Sequence, residues 1–192
     1  MNTPKPLATG HFRMTAMIVT VASTLTTLLS GCAQLDIPAA DAAPAPTTAT
    51  VLRVTDGDTI DVRDDTRGRI RVRVLGIDSP EVHRPGYSVG CWGPEAERFA
   101  TETLAGQRIT LTQDATQDAN DRYGRSLAYV NLADGRDFAV ESVRAGMARA
   151  YVYSDKPVSR YPDILAAENE ARAALRGLWG PPCNGHTEST PT

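Results

Sequence analysis

The sequence predicts an α+β fold in which five β-strands close into an OB-type barrel and three helices pack around it. Three observations predict it: short alternating apolar and polar stretches, amphipathic stretches at helical spacing, and the order βββ-α-ββ-α-α in which they follow one another. A helix placed after the third of five strands is the pattern of an OB barrel. At 192 residues the chain has room for one such domain with accessory segments.

The first three strands are predicted between residues 51 and 77. The stretches 51–55 and 59–63 flank a Gly-containing turn, and residues 69–77 alternate most clearly. The apolar face of this third stretch is Ile70, Val72 and Val74, and the opposite face is Arg69, Arg71 and Arg73. Strands in series with turn residues between them favour an antiparallel meander.

The remaining elements are a helix, two strands and two further helices. Pro94 suits the first turn of a helix that Gly106 ends, and strands are predicted at 108–112 and 127–132. Asp137 is typical of a helix N-cap, and the second helix should end near Gly146. The third helix is predicted over 161–175. Its expected buried face is Leu165, Ala171 and Leu175.

The N-terminal 50 residues are not expected to belong to the domain. Lys5 and Arg13 precede 16 uncharged residues, 14–29, which are too few for a permanent bilayer span but suit an export signal. The sequence Leu-Ser-Gly-Cys that ends at Cys32 resembles the lipobox of bacterial lipoproteins. We therefore expect a signal peptide over 1–31 and lipidation of Cys32, with anchoring at the outer face of the cytoplasmic membrane. The alternative is an ordinary export signal with an incidental cysteine.

Beyond Cys32, the domain is expected to lie between two segments of low complexity. Residues 33–50 are rich in Ala, Pro and Thr and are predicted to form a tether. The globular domain is then 51–183, and 184–192 is expected to be an unstructured tail. A monomer is the expected state.

The three cysteines are an odd number, which leaves two if Cys32 carries lipid. Export would place Cys91 and Cys183 in an oxidising compartment, so we predict a disulfide between them. Two free buried thiols are the alternative.

The net charge of −3 argues against a passive nucleic-acid coat, because such proteins need excess positive charge against phosphate. Of the 20 basic residues, only Lys5 and Lys156 are lysines. The predicted domain is therefore rich in arginine, the side chain that binds phosphate with two parallel hydrogen bonds.

Four short segments stand out as candidates for chemistry. They are Asp56–Thr59, Arg73–Glu81, Asp121–Arg125 and Ala150–Tyr153. Each has an ordinary structural explanation, as a hairpin turn, a strand end or a solvated strand face.

Taken together, these segments supply what phosphodiester hydrolysis requires. Asp58 and Asp78 are hard oxygen donors suited to Ca²⁺ or Mg²⁺. Glu81 is placed to orient or deprotonate a water, and Arg73 and Arg125 are suited to the phosphate charge.

With these motifs, the chain resembles the staphylococcal nuclease-like (thermonuclease) family over nearly all of residues 51–180. Asp-Gly-Asp-Thr, Arg-x-x-x-Ile-Asp-Ser-Pro-Glu, Gly-Pro-Glu-Ala and Asp-x-Tyr-Gly-Arg occur in the family's order. The resemblance implies an OB barrel with three helices. It also implies Ca²⁺-dependent cleavage of DNA and RNA at the 5′-O–P bond, which leaves 3′-phosphate ends.

Residue by residue, the resemblance implies a complete catalytic set. Asp58 and Asp78 match calcium-binding carboxylates, and Ser79 stands where a Thr carbonyl is a calcium ligand. Glu81 matches the general base, and Arg73 and Arg125 match the arginines that hold the scissile phosphate. The nucleotide contacts implied are Arg122, Tyr123 and Tyr151. The loop 82–92 departs from the family's staphylococcal member, since it lacks a run of lysines.

Two other classes of function are open at this stage. One is a catalytically inactive nuclease-like module that binds nucleic acid or protein at the cell surface. The other is an exported OB module for a carbohydrate or peptide. Neither would require the complete set of carboxylates and arginines.

Overall fold

The structure is a computed structural model that describes residues 45–192. Its elements follow the order β1 (Thr47–Asp56), β2 (Thr59–Asp64), β3 (Gly68–Val74), β4 (Ile77–Asp78), α1 (Gly93–Leu104), β5 (Arg108–Thr112), β6 (Ser126–Asn131), α2 (Phe138–Arg144), β7 (Arg149–Ala150) and α3 (Tyr161–Ala173), with a 3₁₀ turn at Gly177–Trp179. The signal peptide, Cys32 and most of the expected tether lie outside the described residues.

Five strands close into a barrel in the order β1-β2-β3-β6-β5, which confirms the predicted fold class. All neighbours are antiparallel except β3 and β6, which run parallel with Arg73 beside Leu127. The barrel interior is filled by aliphatic side chains from alternate strand positions, which are at most 1% exposed. Among them are Ile60, Val62, Val72, Val74 and Val130.

The third predicted strand is two separate strands in the structure. β3 ends at Val74, and β4 instead pairs with β7, with Asp78 opposite Arg149. The break occurs at Gly76, whose φ of +78° is a left-handed conformation that favours glycine. A Cβ at this position would also lie 2.6 Å from Ile164 Cδ1 on α3. The chain therefore turns sharply between the barrel and the segment that carries Asp78.

The other boundaries differ by a few residues from those predicted. β1 begins at Thr47 rather than Val51, because residues 47–50 pair with β5. Asp137 caps α2 as predicted and accepts a hydrogen bond from the Ala139 N–H at 2.8 Å. The predicted face of α3 was partly wrong, since Leu175 lies beyond the helix and is 64% exposed. The residues of α3 that are buried are Ile164, Ala167, Glu168 and Ala171.

The predicted disulfide is present between Cys91 and Cys183, whose Cα atoms are 5.8 Å apart. The segment 184–192, expected to be unstructured, instead lies along the loop 86–90. The Ser88 N–H donates to the Thr190 carbonyl at 2.7 Å, and the Thr192 N–H donates to the Gly86 carbonyl at 3.0 Å. Backbone N–H and carbonyl groups of the loop bond to the segment. The composition of the segment alone does not reveal such pairing. Among the helices of residues 45–192, none combines the length and apolar character that a membrane span requires.

Candidate active site

The site begins at the tight turn between β1 and β2, which carries Asp58. Gly57 in this turn approaches the next loop so closely that a Cβ would lie 2.7 Å from Ser79 Cβ. The approach allows the Ser79 backbone N–H to donate to Asp58 Oδ2 at 2.8 Å. The two motifs, 21 residues apart in sequence, are thus joined at one end of the barrel.

Arg73, at the end of β3, links the two aspartates of these motifs. Its Nη1 lies 3.1 Å from Asp58 Oδ2, and its Nη2 lies 2.9 Å from Asp78 Oδ1. Nη1 also donates to the carbonyls of Val74 at 3.1 Å and Ile77 at 2.8 Å. The guanidinium, whose side chain is 14% exposed, therefore occupies a pocket of carboxylate and carbonyl oxygens.

The carboxylates in this region repel one another. Loss of water contact, followed by the negative charge of Asp58, raises the pKa of Asp56 to about 7. The same two causes raise the pKa of Asp78, although 54% of its side-chain surface is exposed and Arg73 opposes the shift. A concentration of negative charge of this kind favours the binding of a cation.

Arg125 and Glu81 line a cleft of about 640 Å³ beside this pocket. Asp121 orients Arg125, because Asp121 Oδ2 accepts from Nε at 2.6 Å and Oδ1 accepts from the Arg125 backbone N–H at 2.9 Å. Arg125 Nη1 reaches Thr59 Oγ1 at 3.4 Å, and Thr59 in turn donates to Asp58 at 3.0 Å. The cleft and the carboxylate pocket therefore share one hydrogen-bonded chain.

The expected nucleotide contacts are all exposed, but Tyr123 lines the cleft whereas Arg122 and Tyr151 do not. Tyr123 is 68% exposed, and Arg122 Nη2 donates to the Tyr123 hydroxyl at 2.5 Å. Tyr151 is 41% exposed and follows β7, where its backbone N–H donates to the Gly76 carbonyl at 2.8 Å. The structure thus connects Asp58, Asp78, Ser79 and Arg73 directly. Glu81, Tyr123 and Arg125 share the adjacent cleft.

Three residues near the site carry no assigned role from the sequence. Arg69 and Arg71 line the same cleft as Glu81, and the alternation of arginines along β3 was the signal that could have found them. Arg149 stands opposite Asp78 in the β4–β7 pair, and its positive charge, like that of Arg73, opposes the rise in the pKa of Asp78. No sequence signal marks Arg149, because the pairing strands are only two residues long.

The donor set fits a calcium ion in part. Asp58 and Asp78 already share one cation, the Arg73 guanidinium, which also donates to the carbonyl oxygens of Val74 and Ile77. Among residues 45–192 no three His, Cys, Asp or Glu side chains are arranged as a complete ligand set. Calcium takes six to eight oxygens, so backbone carbonyls and water would have to supply the remainder.

Comparison with known proteins identifies the family of the chain. A family profile described as "Staphylococcal nuclease homologue" matches residues 71–181. The thermonuclease of Staphylococcus intermedius is 38% identical over 130 residues, which are 67% of this chain and 74% of that protein. The thermonuclease of Staphylococcus hyicus is 37% identical over 131 residues, 67% of this chain and 73% of the relative. An uncharacterized endonuclease of Escherichia coli O157:H7 is 38% identical over 130 residues, with shares of 67% and 74%. The chain belongs to the staphylococcal nuclease family.

Proposed function

We propose that this chain is an exported, calcium-dependent endonuclease that hydrolyses phosphodiester bonds in DNA and RNA. The chain is a nuclease by family, and the finer features rest on one observation. A single guanidinium, Arg73, lies between Asp58 and Asp78, immediately beside a cleft lined by Glu81 and Arg125. This arrangement places carboxylates suited to a cation next to groups suited to a phosphate.

Within this proposal, Glu81 is the general base. Its carboxylate lies at the open surface of the cleft, where it accepts a water proton as the water oxygen attacks phosphorus. The bond from phosphorus to the 5′ oxygen breaks and the departing oxygen takes up a proton from solvent water, so that the products carry a 3′-phosphate and a 5′-hydroxyl.

Arg73 and Arg125 stabilise the charge that develops on the phosphate oxygens. Asp121 holds Arg125 through Nε, and the terminal nitrogens, of which Nη1 makes a long 3.4 Å hydrogen bond to Thr59 Oγ1, would bind phosphate. Both side chains are partly buried, at 14% and 27% exposure, so their charges act with less screening than at an open surface. Arg122, Tyr123 and Tyr151 bind the neighbouring nucleotide by charge and by stacking.

Asp58, Asp78 and the Ser79 carbonyl would hold the calcium ion. When bound there, calcium supplies positive charge that polarises the phosphate. Asp58 is suited to a fixed ligand position, because Ser79 and Thr59 both donate to it and its side chain is only 8% exposed.

The test is cleavage of heat-denatured DNA and of RNA by the mature protein, with calcium or with EGTA. Cleavage that stops in EGTA and returns with added calcium is expected. The Glu81→Gln variant should lower kcat by about 100-fold or more, because the base is lost while shape is retained. Glu170→Gln is the matched control, since Glu170 is an exposed glutamate on α3.

The same assays would overturn the proposal in distinct ways. Cleavage that is insensitive to EGTA contradicts the calcium site. Equal rates for Glu81→Gln and Glu170→Gln contradict the assignment of the base. Binding of nucleic acid without cleavage would identify the chain as an inactive binding module.

We further propose that residues 1–31 direct export and that Cys32 anchors the protein as a monomer to the outer face of the cytoplasmic membrane. A diacylglyceryl group and an amide-linked acyl chain would together give stable anchoring. Mass spectrometry of the mature N-terminus should detect lipid on Cys32, and Cys32→Ala should release the protein from the membrane. Recovery of unmodified Cys32, or of a protein cut elsewhere, would contradict the anchor.

A further inference from the structure

The outer face of the first three strands carries four arginines around one carboxylate. We define the outer basic face as Arg53, Arg63, Arg69 and Arg71. Cross-strand pairs place Arg53 and Arg71 on either side of Asp61, and Arg63 opposite Arg69. All four arginines are exposed, whereas the Asp61 side chain is only 9% exposed.

The charge on this face is not balanced locally. Arg71 donates to Asp61 through Nε at 2.8 Å and Nη2 at 3.3 Å, while Arg69 lies 4.0 Å from the same carboxylate. Arg63 and Arg69 are directly opposite each other, and like charges in that position destabilise a sheet. One carboxylate against four guanidiniums leaves a surplus of positive charge at the surface, which a polyanion would neutralise.

The face continues into the cleft of the candidate active site. Arg69 and Arg71 line the same cleft as Glu81, Tyr123 and Arg125. Arg71 is two residues from Arg73 on β3, and strand geometry separates such positions by about 6.6 Å. A chain of phosphates that places one phosphate at Arg125 would therefore meet further guanidiniums along β3.

We propose that the outer basic face binds the nucleic-acid strand beyond the scissile phosphate, with Arg69 and Arg71 as the first arginines to bind phosphate and Arg53 and Arg63 as the next. This inference rests on the proposed function, because the strand is the nuclease's own substrate. Asp61 is a positioning residue, since it holds Arg71 against the sheet. Continuity with the cleft favours a nucleic-acid strand over an anionic membrane as the occupant.

The experiment measures the affinity of a fluorescent single-stranded 12-mer for the mature protein in EGTA, at several salt concentrations. Arg69→Gln and Arg63→Gln/Arg69→Gln leave the Arg71–Asp61 pair intact, so they should fold normally, as thermal unfolding will check. We expect removal of each arginine to weaken binding by about three- to tenfold. The slope of log affinity against log salt should become shallower by about 0.7 for each phosphate that is no longer neutralised. Arg136→Gln is the control, since Arg136 is 56% exposed and lines a different cleft.

Cleavage rates and vesicle binding distinguish a site for the substrate strand from a site for an anionic membrane. With calcium, the decrease in kcat/KM should be larger for the 12-mer than for a dinucleotide. Equal decreases for the two substrates, or equal effects of Arg69→Gln and Arg136→Gln on affinity, would overturn the proposal. So would variants that no longer bind phosphatidylglycerol vesicles but keep their affinity for the 12-mer. If the wild-type protein binds the 12-mer without cutting it, only the proposed nuclease function is refuted. The comparison of affinities between Arg69→Gln and Arg136→Gln would still decide whether the outer basic face binds the strand.

Discussion

Removal of the Cys91–Cys183 disulfide should cost a large part of the domain's stability. The bridge closes a loop of 92 residues in the unfolded chain. The chain-entropy relation, −2.1 − 1.5R ln n, gives about 4–5 kcal/mol at 25 °C for a loop of this length. Domains of this size are stable by about 5–15 kcal/mol, so the double variant Cys91→Ala/Cys183→Ala should be close to its unfolding threshold.

The structure indicates that this destabilisation should also reach the active site. The Gly90 N–H, immediately before Cys91, donates to the Glu81 carbonyl at 2.7 Å. On the other side of the bridge, the segment after Cys183 pairs with residues 86–88. The disulfide therefore joins the loop that contacts Glu81 to the C-terminal segment that pairs with this loop. We expect kcat to fall more than KM rises in the double variant.

Urea unfolding of the mature protein, followed by tryptophan fluorescence, measures the effect. Trp92 and Trp179 lie near the bridge and should report on it. Wild-type protein reduced with dithiothreitol should unfold at the same urea concentration as the double variant. A difference below about 1 kcal/mol between oxidised and reduced wild type would refute the entropic reasoning, since no such loop would then constrain the unfolded chain.

Three further predictions concern single side chains. Arg73→Lys should lower kcat by about 100-fold or more, because an ammonium cannot match the planar contacts that Arg73 makes; a rate within threefold of wild type would contradict its role. Gly57→Ala should raise the calcium concentration needed for half-maximal activity, since its Cβ would lie 2.7 Å from Ser79 Cβ; an unchanged calcium titration would show that the turn is not part of the site. Burial opposes ionisation of Asp114, but the hydrogen bonds from Tyr129 and its other donors prevail and hold its pKa below the usual range. That stabilisation is complete above the unfolded pKa of about 4 and is lost as the pH falls, so Asp114→Asn should flatten the acid side of a pH–stability curve.

The fold could be predicted largely from local sequence pattern, and the errors of that prediction have local structural causes. The alternation along 69–74 identifies β3, but nothing in the alternation reveals that Gly76 reverses the chain. The buried face of α3 is ambiguous in sequence because Ile164 and Leu165 are both aliphatic. In the structure Ile164 is the buried one, and it packs against Gly76. The start of β1 escapes prediction because Thr47–Thr50 resembles the tether in composition while its backbone pairs with β5.

The candidate site was predictable where it depends on motifs and not where it depends on packing. Asp58, Arg73 and Asp78 could be grouped because they stand in motifs of characteristic spacing. The contact between Asp58 and Ser79 depends on how closely Gly57 packs, which is a three-dimensional property. The approach of Arg149 to Asp78 depends on a pairing of two-residue strands, which carry no periodic signal.

The distribution of charge explains how a chain with a negative net charge can act on a nucleic acid. Removal of the proposed signal peptide would take away two basic and no acidic residues, which would leave 18 basic against 23 acidic side chains, a net charge of −5. Much of the acidity is used within the fold: Asp64, Asp114 and Asp121 each accept hydrogen bonds that hold their pKa below the usual range and keep their charge inside the fold. In the described strands, Asp61 is the one carboxylate that cross-strand pairing places among the guanidiniums of the outer basic face. The negative net charge therefore predicts weak long-range attraction of DNA to the protein. A bound strand instead experiences the local field of the charges around the cleft, which lie within a Debye length of about 8–10 Å.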